Sequence, residues 1–166
     1  GMLVTDNKHL YEKAEYLNNH GEDPKRKFWQ SQIGYSTEMS NVQAALGLGQ
    51  LERIEKLVAK KRQIFLWYKN ILRDIPYLSM NYKQENVRSN VWMTSIILNN
   101  KKIKRDELIK KLKEKLIDSR PFFYPISMFP MYKKQNNPVS LHVGLNGINL
   151  PSGLNLRKEE VEYVAI

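Results

Sequence analysis

The chain has 166 residues and a formal net charge of +10, and 42% of its residues are hydrophobic, which is enough to bury the core of one domain. It has no cysteine, which excludes disulfide bonds and thiolate chemistry. No apolar run reaches the roughly 18 residues of a membrane-spanning helix, and the start lacks the apolar core of a secretory signal, so we expect a cytoplasmic protein without a membrane partner.

The basic charge is spread over segments that are predicted to be helical. Its lysine and arginine runs, at residues 60–62, 101–105 and 110–115, alternate with glutamates or lie at helix entrances. This pattern favours solvated helix faces over a nucleic-acid interface. A basic nucleic-acid-binding module stays open as the less favoured alternative, and salt-dependent binding to DNA or RNA would support it.

The first 40 residues are predicted to form a short strand, a helix and a loop. Residues 2–5 have the composition of a strand, and Asp6 is placed to cap a helix that ends near Asn19, before Gly21. Residues 22–39 contain a proline and a cluster of basic and aromatic side chains. We interpret this cluster as a loop anchored against the body of the protein.

A long helix is predicted over residues 41–73. Ser40 and Gln43 have the spacing of a capping box, in which each side chain accepts a hydrogen bond from the backbone amide of the other residue. Small residues on the first turns, among them Gly47 and Gly49, would let another element approach closely. At 1.5 Å per residue the helix would span about 48 Å, which exceeds a small domain, so we expect it to bend or break.

The remaining residues alternate between strand and helix patterns. The prediction places strands at 78–82, 91–98, 120–124 and 148–150, helices at 106–117 and 158–166, and an irregular segment up to Leu145. This order indicates a small α/β layer with helices on one face of the sheet.

Few catalytic patterns are present in the sequence. The three histidines, His9, His20 and His142, form no i, i+4 pair, so we expect no metal site. Neither a phosphate-binding glycine loop nor a nucleophile elbow occurs. Polar hydroxyls before the helix at residue 41 suit an anion, because free amides and the helix dipole favour negative charge there.

Residues 34–52 read GYSTEMSNVQAALGLGQLE. They are similar to the segment GYNYRM-S/T-N-x-QAA-x-GLAQLE of the DegT/DnrJ/StrS sugar aminotransferases, which use pyridoxal phosphate (PLP). Further motifs of that family match in the same order: GGMVVTND at 1–6, LRxHG…PxRxxW at 17–29, TRPxFYP…MPMY at 119–132 and INLPS…EExV at 147–161. The chain therefore resembles the family along its whole length, and its perosamine-synthase-like members in particular.

The resemblance implies an α/β (α+β) chain that corresponds to the C-terminal small domain of a fold-type I PLP aminotransferase. On this basis residues 1–40 are a remnant of the large PLP-binding domain, 41–73 a long bridging helix and 74–166 the small C-terminal α/β domain. The Schiff-base lysine of the family precedes the strand that residues 1–6 resemble. We therefore expect no catalytic residue in this chain and no activity of the chain alone.

The resemblance also assigns binding residues. Ser36 occupies the position of an asparagine that reaches the PLP phosphate of the partner subunit, and Tyr35 beside it is assigned to the substrate. Glu38 replaces the arginine of the family motif, which reverses the charge next to this position. Arg120, whose guanidinium can donate two parallel hydrogen bonds to a pyrophosphate, is assigned to the nucleotide-sugar.

Tyr124 and Tyr132 are assigned to the same ligand through their hydroxyls. The alternative, which the residues alone leave equally open, is that the aromatic side chains of this segment are core and that Arg120 is a surface ion pair. The common family histidine of this segment is Ser127 here, so a contact made by an imidazole would be lost.

The implied reaction moves an amino group from glutamate to a 4-keto-6-deoxy nucleotide-sugar, GDP-linked and used for surface polysaccharide. The implied partner is a second copy in a homodimer, or the N-terminal half of the enzyme. A second hypothesis is a non-catalytic truncated gene product that acts only as a folded dimeric module. In either case we expect self-association through the small-residue helix face and the loop at 22–39.

Overall fold

A computed structural model describes residues 2–82, 84–100 and 102–165. The chain forms two compact units, Gly1–Glu52 and Arg53–Ile166. Because this division falls inside the segment 41–73, the assignment of 1–40, 41–73 and 74–166 to separate domains stays a prediction.

In the first unit, residues 2–52 form two helices, α1 at Lys8–Asn18 and α2 at Asn41–Leu51. Asn7 caps α1 in place of the predicted Asp6, since its side-chain oxygen accepts a hydrogen bond from the amide of Leu10 at 3.2 Å. Residues 2–5 have no regular secondary structure, so the predicted strand there is wrong. No strand of the described residues pairs with them, and an isolated strand leaves its backbone groups without partners. Gly1, which belongs to the same motif, lies outside the described residues.

The predicted capping box at the start of α2 is confirmed. The amide of Gln43 donates to the hydroxyl of Ser40 at 3.3 Å, and the amide of Ser40 donates to the side chain of Gln43 at 2.9 Å. All residues of α2 are exposed. A Cβ added at Gly47 or Gly49 would meet nothing within 4 Å, so the close approach predicted for this face is not made within the described chain.

The predicted helix of residues 41–73 is interrupted at Glu52 and Arg53, and α3 begins at Ile54 and ends at Leu72. Arg53 has φ −121° and ψ 15°, which lies outside the helical region. The break that the length of the segment indicated is thus present.

The described residues of the second unit form one sheet of four strands. They are β1 at Leu78–Met80, β2 at Thr94–Leu98, β3 at Arg120–Pro121 and β4 at Gly147–Leu150, in the spatial order β1-β2-β4-β3. All neighbouring strands are antiparallel, and Ile96 lies opposite Ile148 in the central pair. The four predicted strands are confirmed, although three of them are shorter than predicted.

The helices of this unit besides α3 are α4 at Arg105–Glu114, a 3₁₀ turn at Ile126–Met128, α5 at Pro138–Asn146 and α6 at Lys158–Ala165. α4 ends before the predicted Ile117, and Leu116 follows it with a positive φ of 61°. The last predicted helix is confirmed up to Ala165, and Ile166 lies outside the described residues.

Helix α5 lies in the segment that is predicted to be irregular up to Leu145, and that prediction is wrong for residues 138–145. Its apolar residues alternate with other residues, which is a strand period and not a helical one. Pro138 at its first turn supplies a helical φ and needs no amide partner there.

The core of the second unit joins α3, α6 and the two central strands. Its buried side chains are Ile64, Tyr68, Leu72, Ile96, Leu98, Ile148, Leu150 and Val161. All four residues of β4 are buried although they alternate between the two faces of the sheet. Both faces are therefore covered at this strand, which corrects the prediction of a layer covered on one face. Among the described helices, none is long and apolar enough to cross a membrane.

Candidate functional site

Arg120 lies on the edge strand β3, opposite Asn149 of β4. Its side chain is 75% exposed, and its guanidinium is 3.7 Å from the carboxylate of Asp118. This surface pair contributes little to stability and leaves donors available to a ligand. Arg120 lines a depression of about 290 Å³ together with Asp118, Asn149, Trp92, Lys61 and the turn after β4.

Lys61 fixes one wall of this depression. Its ammonium donates to the carbonyl of Trp92 at 3.0 Å and to that of Ser152 at 2.5 Å. Arg62 next to it donates to the carbonyl of Ser89 at 3.0 Å. The prediction of a solvated helix face is therefore wrong for these two residues, because both cations bond main-chain oxygens of other segments.

Ser152 closes the end of the β2–β4 pair. Its hydroxyl accepts from the amide of Thr94 at 2.9 Å and donates to the carbonyl of Leu150 at 2.9 Å. These two hydrogen bonds explain the serine of the INLPS motif, because they link β2 and β4 beyond Leu150, the last residue of β4. The turn that carries the carbonyl partner of Lys61 is therefore held to the sheet.

Tyr124 lies after β3 with its hydroxyl against Arg105, the first residue of α4. Nη2 of Arg105 donates to that hydroxyl at 3.2 Å, and the guanidinium carbon is 5.5 Å from the ring centroid. Burial opposes the charge of Arg105, but its hydrogen bonds to Asp106 and Tyr124 outweigh this and raise the pKa of the guanidinium. Sequence reasoning missed Arg105, which stands in a lysine-rich stretch and gives no sign of burial.

The segment that follows β3 packs closely on α5. A Cβ added at Gly144 would lie 2.7 Å from Cδ of Pro125 and 3.0 Å from the carbonyl oxygen of Phe123. A Cβ at Gly147 would lie 2.6 Å from Cβ of Phe122. Gly144 in α5 and Gly147 at the start of β4 therefore allow the segment with the predicted site residues to lie against the backbone of these two elements.

Tyr132 lines a different depression, of about 440 Å³, with Ser127, Lys133, Asn137 and others. Asn137 donates to the hydroxyl of Ser127 at 3.3 Å. The structure thus places the three predicted residues of this segment apart, with Arg120 in one depression, Tyr132 in another and Tyr124 against Arg105. Their assignment to one ligand stays a prediction.

In the first unit, the backbones of Gly21 and Gly34 lie close together just before Tyr35. A Cβ added at Gly34 would lie 2.2 Å from the backbone nitrogen of Gly21. Gly21 itself has a positive φ of 66°, which favours glycine. The amide of Tyr35 donates to the carbonyl of Leu17 at 2.6 Å, and Ser36 forms a β-bridge with Asn19. These contacts explain why the sequence has glycine in both HG and GY.

The side chains of Tyr35 and Ser36 are exposed. Tyr35 lines a concavity of about 660 Å³ with Glu15, Glu38 and other residues, and its described lining contains carboxylates but no lysine or arginine. The capping box already uses the amides of Ser40 and Gln43. The described residues therefore do not form a complete phosphate site, although the hydroxyl of Ser36 fits a single hydrogen bond to a phosphate oxygen.

Within the described part of the chain, no group of three or more histidines and carboxylates could hold a metal ion.

The sequence profile of the DegT/DnrJ/EryC1/StrS aminotransferase family matches residues 1–166. The chain belongs to this family. Similar relatives include GDP-perosamine synthase from Escherichia coli O157:H7, which is 37% identical over 99% of this chain, and GDP-perosamine synthase from Vibrio cholerae, which is 34% identical over 99% of it. The chain spans 45% and 46% of these two relatives.

The solved structures agree with the family. The chain is similar to Helicobacter pylori PseC, an aminotransferase involved in the biosynthesis of pseudoaminic acid, with a TM-score of 0.83 and 27% identity over 98% of this chain and 46% of that one. The predicted resemblance and the α/β fold are therefore confirmed. The family is PLP-dependent, as the resemblance implied, and a relative from Bacillus subtilis that is 30% identical is described as a putative pyridoxal phosphate-dependent aminotransferase.

Proposed function

We propose that this chain is part of a PLP-dependent enzyme that transfers an amino group from glutamate to a GDP-linked 4-keto-6-deoxy sugar for surface polysaccharide. The observation that carries the proposal is the 37% identity to a GDP-perosamine synthase along 166 residues. The match includes the whole segment from β3 to Tyr132, in which the candidate ligand residues lie. A cytoplasmic location is part of the proposal.

Arg120 is the residue proposed to bind the pyrophosphate of the nucleotide-sugar. It is exposed, its weak partner Asp118 leaves most of its donors available, and it stands at the edge of a depression. The exposed ring of Trp92, which stacks on Phe123 with centroids 6.4 Å apart, lines the same depression. Tyr124, Tyr132 and, in the first unit, Tyr35 complete the proposed set of substrate residues through their hydroxyls.

Ser36 is proposed to donate one hydrogen bond to the phosphate of PLP held by another chain or another part of the enzyme. When bound, PLP supplies the electron sink that amino-group transfer requires. Nearby Glu38 and Glu15 disfavour a phosphate held by this segment alone. We further propose that the chain alone has no transaminase activity, since none of its lysines matches the lysine motif of the family.

Replacing Arg120 by glutamine is expected to weaken the binding of GDP-mannose about tenfold, or about 1.4 kcal/mol, because a charge-assisted contact to the pyrophosphate is lost. Isothermal titration calorimetry of the chain measures this. Arg73→Gln is the matched control, since Arg73 is also exposed and lies 3.3 Å from the adjacent Asp74. It should bind within twofold of the original chain. Equal losses in both variants, or no binding by the original chain, would overturn the assignment of Arg120.

We propose that the chain forms a homodimer through α2. α2 has no charged residue, and its valine, alanine and leucine residues are all exposed in the single chain, which leaves an apolar surface of the kind that association normally covers. Light scattering is expected to give a mass above 19.6 kDa that rises with concentration. Leu48→Glu should shift the equilibrium toward the monomer, whereas Leu66→Glu on the exposed side of α3 should not. A strictly monomeric original chain at high concentration contradicts the proposal.

The nucleic-acid alternative has less support. Lys61, Arg62 and Arg105 use their donors on oxygens of the protein itself. These three residues are therefore poor candidates for phosphate contacts along a nucleic acid.

A further inference from the structure

Arg105 differs from the other cations of its segment. It is 7% exposed, whereas Lys104 before it is 76% exposed and lies 3.9 Å from Glu107. A buried guanidinium persists only where hydrogen bonds replace its lost water. The contacts of Arg105 therefore indicate what the residue does in the fold.

The guanidinium joins three segments of the second unit. Its Nε donates to the carboxylate of Asp106 at 2.7 Å, its Nη1 to the carbonyl of Gly144 at 2.7 Å and its Nη2 to the hydroxyl of Tyr124 at 3.2 Å. It thus connects the start of α4 with α5 and with the segment after β3. Gly144 also lies close to that segment, since a Cβ added there would be 2.7 Å from Cδ of Pro125.

The contact also sets the direction of the hydrogen bond at Tyr124. A guanidinium has donors and no acceptor, so the hydroxyl oxygen of Tyr124 must accept from Arg105. The proton of that hydroxyl is then directed elsewhere, and because the side chain is 45% exposed it can reach a ligand. Tyr124 is thereby prepared to donate to an oxygen of a ligand.

We propose that Arg105 is a positioning residue for the nucleotide-sugar site. It fixes the hydroxyl of Tyr124 as a hydrogen-bond donor toward a phosphate or sugar oxygen, and through Gly144 it holds the segment after β3 on α5. The link to the nucleotide-sugar rests on the proposed function, whereas the positioning of Tyr124 rests on the contacts of Arg105. Lysine cannot replace it fully, because a single ammonium lacks the planar fork that reaches three acceptors at once.

The test uses the whole chain with 3-fluorotyrosine incorporated either at Tyr124 or at Tyr132. Fluorine NMR of Arg105→Gln is expected to show a shifted or broadened signal at Tyr124 and an unchanged signal at Tyr132. Lys104→Gln, which removes one charge from the neighbouring position, should change neither signal. Arg105→Lys should give an intermediate change at Tyr124, and it replaces the glutamine variant if that variant does not fold.

Titration with GDP-mannose tests the link to the ligand. Arg105→Gln is expected to weaken binding about fivefold, and in a background of Tyr124→Phe it should weaken binding by less than about twofold, since it acts through that hydroxyl. An unchanged fluorine signal at Tyr124 overturns the positioning role whatever the titration gives. A changed signal in a chain that does not bind GDP-mannose supports the positioning and overturns the proposed binding of the nucleotide-sugar by this chain. Additive losses of binding overturn the route through Tyr124.

Discussion

Replacing Gly144 by alanine is expected to lower the free energy of unfolding of the second unit by about 2–4 kcal/mol. The added Cβ would lie 2.7 Å from Cδ of Pro125 and 3.0 Å from the carbonyl oxygen of Phe123. Neither atom is the end of a flexible side chain, so α5 and the segment after β3 must move apart. Urea unfolding followed by circular dichroism measures the change.

Gly153→Ala is the matched control in the same unit, since a Cβ at Gly153 meets only the side chain of Asn155. That side chain can rotate away, so this variant should stay within about 0.5 kcal/mol of the original chain. Gly144→Ala should also disturb Tyr124, because Arg105 donates both to the carbonyl of Gly144 and to the hydroxyl of Tyr124. A Gly144→Ala variant as stable as the original chain would show that α5 does not pack on this segment.

Replacing Tyr68 by phenylalanine is expected to change both the stability and its dependence on pH. The hydroxyl of Tyr68 donates to the carbonyl of Pro151 at 3.0 Å, and the side chain is fully buried. Its loss leaves that carbonyl without this donor and should lower the free energy of unfolding at pH 7 by about 1–2 kcal/mol. The size of the effect is measured by urea unfolding of the two proteins.

The alkaline behaviour of Tyr68 results from the burial of its phenol, which raises its pKa in the folded chain. In the unfolded chain the phenol ionises near pH 10. Above that pH the unfolded state is stabilised by losing the proton, while the folded state keeps it. The original chain should therefore lose stability relative to Tyr68→Phe by up to about 1.4 kcal/mol per pH unit above pH 10.

Unfolding of both proteins between about pH 8 and about pH 11.5 tests this sign. The difference in the free energy of unfolding between the original chain and Tyr68→Phe should be constant below about pH 10. Above that pH it should shrink, since the variant lacks the titrating group. Two curves that stay parallel to the highest pH would show that the hydroxyl of Tyr68 is hydrated in the folded chain. Exposed tyrosines are common to both proteins and cancel in the comparison.

Local patterns predicted the local features well. The capping box of Ser40 and Gln43 depends on four consecutive residues, and the structure forms it as predicted. β4 was predicted from its composition and its motif, and it lies at the centre of the sheet. The family was identified in the same way, because its motifs are short and occur in order along the whole chain.

Features that depend on distant contacts were not predictable. A strand at residues 2–5 would need a partner strand, and the alternating apolar residues of α5 gave the wrong period. The burial of Arg105 depends on Gly144 and Tyr124, which are 39 and 19 residues away. For the same reason the sequence grouped Arg120 with Tyr132, whereas the folded chain places them in separate depressions.

The backbone contact between Gly21 and Gly34 divides the first unit into a fixed base and a free tip. The carbonyl of Gly21 also accepts a hydrogen bond from the amide of Ser31 at 3.1 Å. The chain has therefore returned to Gly21 before it reaches Ser36. Residues between Glu22 and Ser31 can therefore be lengthened, shortened or exchanged without displacing Tyr35 and the residues after it. Evolution, or an engineer grafting a new loop, can change the tip independently of the position of Ser36, provided that both glycines are kept.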